Sequence, residues 1–156
     1  MPQISQRFRE PEGRPMCDPG FSILDDVVAP IQCDRLILRL SDRAAGRAGA
    51  RHLMRHSAVA EFAMKEELLG IARDWVGPGA VPYRCTLFEK SGERNWLVVW
   101  HQDTTLPLAS RFESEEWGPW SEKEKILYAH APSWALERIV ALRIHLDAST
   151  ALNGPL

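Results

Sequence analysis

Apolar side chains recur with a helical period through the first half of the chain. After Pro30, one stripe of a helix is predicted by Ile31, Cys33, Leu36, Ile37 and Leu40. A second helix is predicted from about residue 57 to residue 76, and Gly77-Pro78-Gly79 ends it because both residue types interrupt helices. Residues 43–51 break the pattern between the two helices, so we expect a connection there.

The period changes to two after residue 79. Strands are predicted at residues 81–89, 95–101, 104–108 and 139–147, and a shorter one precedes the first helix at residues 21–28. Residues 111–125 are polar and predict a loop, and residues 133–137 predict a helical turn. Because the helices come first and most strands later, the order favours an α+β domain over alternating βαβ units.

Length and composition narrow the class of protein. A chain of 156 residues that is 45% hydrophobic can bury one domain-sized core, so we expect a loose arm at residues 1–20 and one domain from residue 21 to residue 156. With a net charge of −2, the sequence lacks the excess of positive charge that is typical of nucleic-acid-binding proteins. No apolar run is long enough for a bilayer, and residues 1–15 lack the apolar centre of a secretory signal. A soluble cytoplasmic protein is expected, with Cys17, Cys33 and Cys85 as reduced thiols packed like small hydrophobic groups.

Two His-x-Asp tripeptides carry the candidate chemistry, at residues 101–103 and 145–147. In an extended strand the histidine and the aspartate project from the same face. An imidazole and a carboxylate are two of the three ligands in a 2-His-1-carboxylate Fe(II) site. The second tripeptide alternates with apolar residues, as the solvated face of a half-buried strand also does. The first follows a strand that is apolar on both faces, where burial perturbs ionisable groups, and this favours it as a metal site.

Several segments of the chain resemble the core of bacterial phytanoyl-CoA dioxygenase-like proteins. They are residues 84–90 and 95–103 with Trp-His-Gln-Asp, residues 118–121, residues 141–147, and residues 153–156 with Asn-Gly-Pro-Leu. The resemblance covers roughly residues 20 to 156, in order, and corresponds to the N-terminal part of that family. It implies an oxidoreductase that uses Fe(II) and 2-oxoglutarate, with N-terminal helices followed by an incomplete double-stranded β-helix (a cupin-like jelly roll).

The resemblance also implies roles for individual residues. His101 and Asp103 would be the first two iron ligands, whereas the second His-x-Asp is not the family's iron-binding motif. Thr86 and Arg143 could line the barrel near 2-oxoglutarate or could be structural polar residues. Leu97 stands where relatives often carry a lysine. In the family, a distal histidine and a 2-oxoglutarate-binding arginine follow the Asn-Gly-Pro-Leu segment. We therefore expect His101 and Asp103 by themselves to bind metal weakly and to support little catalytic turnover.

Two functions remain open from the sequence. The first is hydroxylation of a small organic substrate by an oxygenase of which this chain is a truncated, inactive or incomplete part. The second is a non-catalytic remnant that acts as a binding or partner-dependent module. A jelly roll short of strands would expose edges, which predicts self-association. Trp117 and Trp120 could form a pocket wall or pack within their loop. No His-Glu-x-x-His or Gly-x-Ser-x-Gly motif supports a hydrolase.

Overall fold

The computed structural model describes residues 21–44, 49–89 and 103–148. The helical elements in this part of the chain are α1 (Pro30–Ala44), a short 3-10 turn (Leu53–Arg55), α2 (Ser57–Ala63), α3 (Glu66–Val76) and α4 (Ser133–Leu136). The strands are β1 (Gly49–Ala50), β2 (Leu87–Phe88), β3 (Thr105–Leu108), β4 (Trp120–Lys123) and β5 (Ile126–His130). The predicted α+β class is confirmed, with small antiparallel sheets that do not close among the described residues.

The N-terminal helices build the main core. Its buried side chains are Leu36, Leu40, Leu53, Val59, Phe62 and Leu68. Cys33 is also buried, so three positions of the predicted α1 stripe face the protein, whereas Ile31 and Ile37 are exposed. Ile31 lies two residues from Cys33, about 200° around the helix, and therefore points the opposite way. Among the described residues, no helix combines the length and the apolar character needed to cross a membrane.

The single helix predicted over residues 57–76 is two helices. The chain turns at Met64 and Lys65, because Lys65 takes an extended conformation with φ −65° and ψ 140°. α3 then starts with Glu66 and Glu67, whose negative charges favour the N-terminal end of a helix. The predicted stop is confirmed at Gly77, which has φ 96° and donates its N–H to the Arg73 carbonyl.

The strands form two antiparallel sheets among the described residues. β1 pairs with β2, and the other sheet has the order β3-β5-β4. Ala129 in the central strand β5 lies between Leu106 and Trp120 and is fully buried. The Ala131 N–H donates to the Thr104 carbonyl at 2.9 Å, which extends the β3–β5 pairing beyond the strand ends.

The sequence predicted the later part of the chain only partly. The strand at residues 104–108 and the helical turn at residues 133–137 are confirmed as β3 and α4. The strand expected over residues 81–89 is limited to β2. The loop expected over residues 111–125 contains β4, and β5 was missed altogether. The turn between β4 and β5 has neither glycine nor asparagine, so the usual hairpin signal is missing.

Two predicted strands are absent from the described residues, and a third falls outside them. Residues 21–28 form bends and an irregular segment, and residues 139–147 have no strand partner in the part of the chain that is described. Burial nevertheless alternates at residues 143–147, where Ile144 and Leu146 pack on the main core and their neighbours are exposed. Alternating polarity therefore identified the buried side of this segment but did not establish pairing. The strand predicted at residues 95–101 lies outside the described residues.

Candidate functional site

The predicted iron ligand Asp103 lies two residues before β3, with its side chain 62% exposed. Its Oδ2 accepts a hydrogen bond from Nη2 of Arg84 at 2.7 Å, and the Arg84 side chain is 36% exposed. The other predicted ligand, His101, lies outside the described residues. The structure therefore adds a charged neighbour, Arg84, to one half of the predicted pair.

Packing of the segment before β2 explains why Arg84 reaches Asp103. Cys85 and Leu87 both pack against the main core. The Cys85 carbonyl accepts a hydrogen bond from the Leu53 N–H at 3.1 Å, which holds the backbone at that point. Because alternate residues of an extended segment face opposite sides, Arg84 and Thr86 are directed away from the core. Thr86, the predicted co-substrate contact, is half-buried on the Arg84 side of the segment.

Two tyrosines lie in the same neighbourhood. Burial raises the pKa of the Tyr83 phenol, and the nearby Asp103 carboxylate and Tyr128 phenol raise it further, while Arg84 lowers it. Tyr128 is buried in β5, opposite Pro107 of β3. Asp103 has the same parity as Pro107, which places Asp103 and Tyr128 toward one face of the β3-β5-β4 sheet. The site is a polar cluster against a sheet face, with its carboxylate open to solvent.

The two predicted tryptophans belong to a separate aromatic cluster. Phe112 contacts Trp117 and Trp120 edge to face, with ring centroids 5.7 and 5.3 Å apart, and Trp117 contacts Trp134 at 6.0 Å. Trp120 pairs with Ala129, whose side chain is on the opposite sheet face from Tyr128. Trp117 and Trp120 both pack on Phe112 and also line a shallow groove. They therefore lie across the sheet from Asp103.

The remaining predicted residues are on the surface. Arg143 is exposed, and so are His145 and Asp147 of the second His-x-Asp. The apolar residues between them, Ile144 and Leu146, pack on the main core. This alternation of exposed and packed residues agrees with the solvated face predicted for a half-buried strand, but the described backbone forms no strand there.

The donor chemistry of the site fits one ligand of a ferrous ion. Carboxylate oxygens bind Fe(II), and metal-ligating carboxylates are usually hydrogen-bonded to a neighbouring group, as Asp103 is to Arg84. The Arg84 guanidinium already pairs with this carboxylate at 2.7 Å, and its positive charge opposes the binding of a metal cation there. Within the described residues no group of three or more His, Cys, Asp or Glu side chains could hold a metal, and a full site would need His101 and further donors.

Comparisons of the chain with protein-family models, with curated proteins and with solved structures gave no match. Sequence reasoning missed Arg84 and the tyrosines Tyr83 and Tyr128. One feature of the sequence could have pointed to Arg84. It alternates with Cys85 in a segment predicted to be a strand, so the two side chains are expected on opposite faces. No such feature pointed to Tyr128, because β5 itself was not predicted.

Proposed function

We propose that the chain is part of a phytanoyl-CoA dioxygenase-like oxygenase in which His101 and Asp103 bind Fe(II). The observation that carries this proposal is the exposed Asp103 carboxylate, which lies two residues before β3 and accepts a hydrogen bond from Arg84 at 2.7 Å. Ferrous iron with 2-oxoglutarate and O2 supplies the hydroxylation of a C–H bond in a small organic substrate when all are bound. The residues of the chain supply ligands and orientation.

Each residue of the site would have a limited part. His101 would offer a neutral imidazole nitrogen and Asp103 a negatively charged oxygen, which together satisfy part of the coordination of a divalent cation. Thr86 lies on the Arg84 side of its segment and would offer a hydroxyl to a carboxylate of 2-oxoglutarate. Arg143 would contribute a guanidinium from the exposed segment beside Ile144. Two donors are fewer than the three protein ligands of a 2-His-1-carboxylate site, so His101 and Asp103 by themselves should bind the metal weakly.

The proposal includes a fold. We propose that the two antiparallel sheets belong to a double-stranded β-helix, which the order of helices before strands and the antiparallel pairing support. In the described three-stranded sheet, β3 and β4 are the edge strands. Pro107 in β3 and the charged pair Glu122 and Lys123 in β4 oppose pairing with another chain. Self-association through these two edges should therefore be weaker than through edge strands that lack proline and charged residues.

Metal affinity tests the proposal. Mn(II) is a redox-stable substitute for Fe(II), and its free concentration is measured by electron paramagnetic resonance during titration of the chain. We expect H101A and D103N each to weaken Mn(II) binding at least about tenfold, because each removes a direct ligand, and ligand neighbours alone account for about 10–100-fold. The matched controls are H145A and D147N in the exposed second tripeptide, which should bind Mn(II) as the wild-type chain does.

The alternative function is a non-catalytic binding or partner-dependent module. Exposed apolar side chains at Ile23, Leu38 and Val81 would be available to such a partner. If the wild-type chain binds no Mn(II), or if H101A and D103N both bind it unchanged, the oxygenase proposal fails and the binding module is the better account.

A further inference from the structure

We infer that the aromatic groove formed by residues 111–120 binds a small molecule that carries a quaternary ammonium group. The side chains of this groove that the inference uses are Phe112, Trp117, Trp120, Glu113 and Glu115. Trp120 projects from the sheet face opposite to Tyr128. The groove is therefore separate from the candidate metal site, and the inference goes beyond the proposed function.

The aromatic rings of the groove meet at steep angles. The Phe112 ring lies at 69° to Trp117 and at 88° to Trp120. An edge-to-face pair leaves a corner that is bounded by one face of each ring, and ring faces carry the negative end of the aromatic quadrupole. Phe112 is 43% exposed, so these corners are open to solvent. Ring faces that converge on one point are how aromatic cages bind quaternary ammonium groups.

One ring face of the groove already carries a cation. The guanidinium carbon of Arg111 lies 5.5 Å from the centroid of the Trp120 ring, within the range of a cation–π interaction. Arg138 lies over Trp134 in the same way at 5.8 Å, and Trp134 contacts Trp117. Arg111 is exposed, and cation–π contacts at exposed sites are weak, so a ligand can displace its side chain. The Trp120 face is therefore a position that accepts a cation.

The charged side chains of the groove favour a cation over an anion. Glu113 and Glu115 are exposed and line the groove, and Arg111 is the one cationic lining residue in the described part of the chain. Two carboxylates and one guanidinium leave an excess of one negative charge, which attracts a cation. A quaternary ammonium group has no N–H to satisfy and holds its water weakly, so aromatic faces can replace that water.

The extent of the groove favours a small molecule over a protein partner. All nine lining residues belong to one short segment, residues 111–120. A stable protein interface usually takes about 20–30 residues on each side. The headgroup of a small organic cation needs only the rings and the neighbouring carboxylates.

Choline is the probe that tests this inference with the full chain. Its neutral analogue, in which a tert-butyl group replaces the trimethylammonium group, has the same shape without the charge. Ligand-observed NMR titration measures both. We expect a choline Kd on the order of 1 mM, as suits a small exposed ligand. The neutral analogue should bind at least about tenfold more weakly, because the ring faces and carboxylates attract the charge.

Charge variants should change choline affinity in opposite directions. We expect E113Q/E115Q to raise the choline Kd about 3–10-fold, because two attractive carboxylates are lost. R111M should lower it about 2–5-fold, because the competing cation leaves the Trp120 face. The matched control is E61Q/E66Q in α2 and α3, which makes the same change in net charge outside the groove and should bind choline as wild type does.

Loss of one ring tests the aromatic part of the groove. W117L keeps an apolar side chain and should raise the choline Kd about 2–5-fold, while leaving the weak binding of the neutral analogue nearly unchanged. Circular dichroism checks the fold of each variant. Should W117L lose the wild-type spectrum, the opposite signs expected for R111M and E113Q/E115Q still test the inference.

Several outcomes would overturn the inference. Absence of saturable choline binding, or equal binding of choline and its neutral analogue, would show that the rings only pack against one another. Weaker choline binding by R111M would show that Arg111 builds the groove rather than competes for it. A trimethyl-lysine peptide that binds more than tenfold tighter than choline would assign the groove to a protein ligand. The Mn(II) results expected for H101A and D103N are independent of all these outcomes.

Discussion

Gly49 in β1 permits a close approach between two backbones. A Cβ atom at this position would collide with the carbonyl oxygen of Leu87 in the paired strand β2. Gly70 in α3 is the opposite case, because a Cβ there would meet no atom within 4 Å. At residue scale, one glycine is required by tertiary contact, and the other only lowers helix propensity.

Alanine substitutions at these two glycines should have opposite effects on stability. We expect G49A to lower the free energy of unfolding by about 1–3 kcal/mol, as overpacking does, because the β1–β2 pair must separate. G70A should raise it by about 0.5–1 kcal/mol, because alanine favours helix. Urea denaturation followed by circular dichroism measures both, and a loss of similar size in the two variants would contradict the assignment.

The described cysteines agree with the expectation of packed thiols. Cys33 is buried in α1, and Cys85 is half-buried against the main core. Burial raises the pKa of the Cys85 thiol, so it stays protonated to higher pH than an exposed cysteine. These two side chains act as small apolar groups of the core.

At the scale of elements, the β4–β5 hairpin has an unusual turn. Lys123 pairs with Ile126, so the turn consists of Glu124 and Lys125, which have φ 54° and 63°. Two positive φ values in a two-residue turn are typical of type I′, where asparagine and glycine are preferred. Glu124 contacts Arg51 at 3.2 Å and His52 at 3.0 Å, and these contacts help to hold the turn against the segment after β1.

Replacement of Lys125 by glycine should stabilise the hairpin. A left-handed conformation costs about 1–2 kcal/mol for a residue with a Cβ, and glycine avoids that cost. We therefore expect K125G to raise the free energy of unfolding by about 1 kcal/mol. The control is K123G in β4, which removes a cation over the Tyr128 ring at 5.8 Å and should destabilise. A Tm for K125G below that of wild type would show that the Lys125 side chain stabilises the native turn.

At the scale of the whole molecule, the segment after α4 returns to the N-terminal core. Ile144 and Leu146 pack against the same cluster as Val27, Met54 and Cys85. The helices and the last described segment therefore share one core, although they are far apart in sequence. This contact makes the stability of the helical half depend on residues beyond the second sheet.

Truncation of Ile144 should weaken the whole fold. We expect I144A to lower the free energy of unfolding by about 1–3 kcal/mol, somewhat less than for a fully buried site, because Ile144 is only partly buried. L142A provides a control, since Leu142 is exposed and should lose much less. The two losses are compared by urea denaturation with helix and tryptophan signals, and equal losses would show that the returning segment does not support the core.

The sequence alone determined some of the local elements, and it proposed His101 and Asp103 as metal ligands, which stays a prediction. The stripe of α1, the Gly77 stop and α4 followed from residues close in the chain, because helical hydrogen bonds join residues four apart. Asp103 was identified from spacing and resemblance. The tertiary structure decided what depends on distant partners, namely the β4–β5 pairing, the irregular backbone of residues 139–147, and the contact of Arg84 with Asp103 across 19 positions. A strand needs a neighbour to complete its hydrogen bonds, and an ion pair needs a packed backbone to bring its groups together, so neither could be read from local pattern.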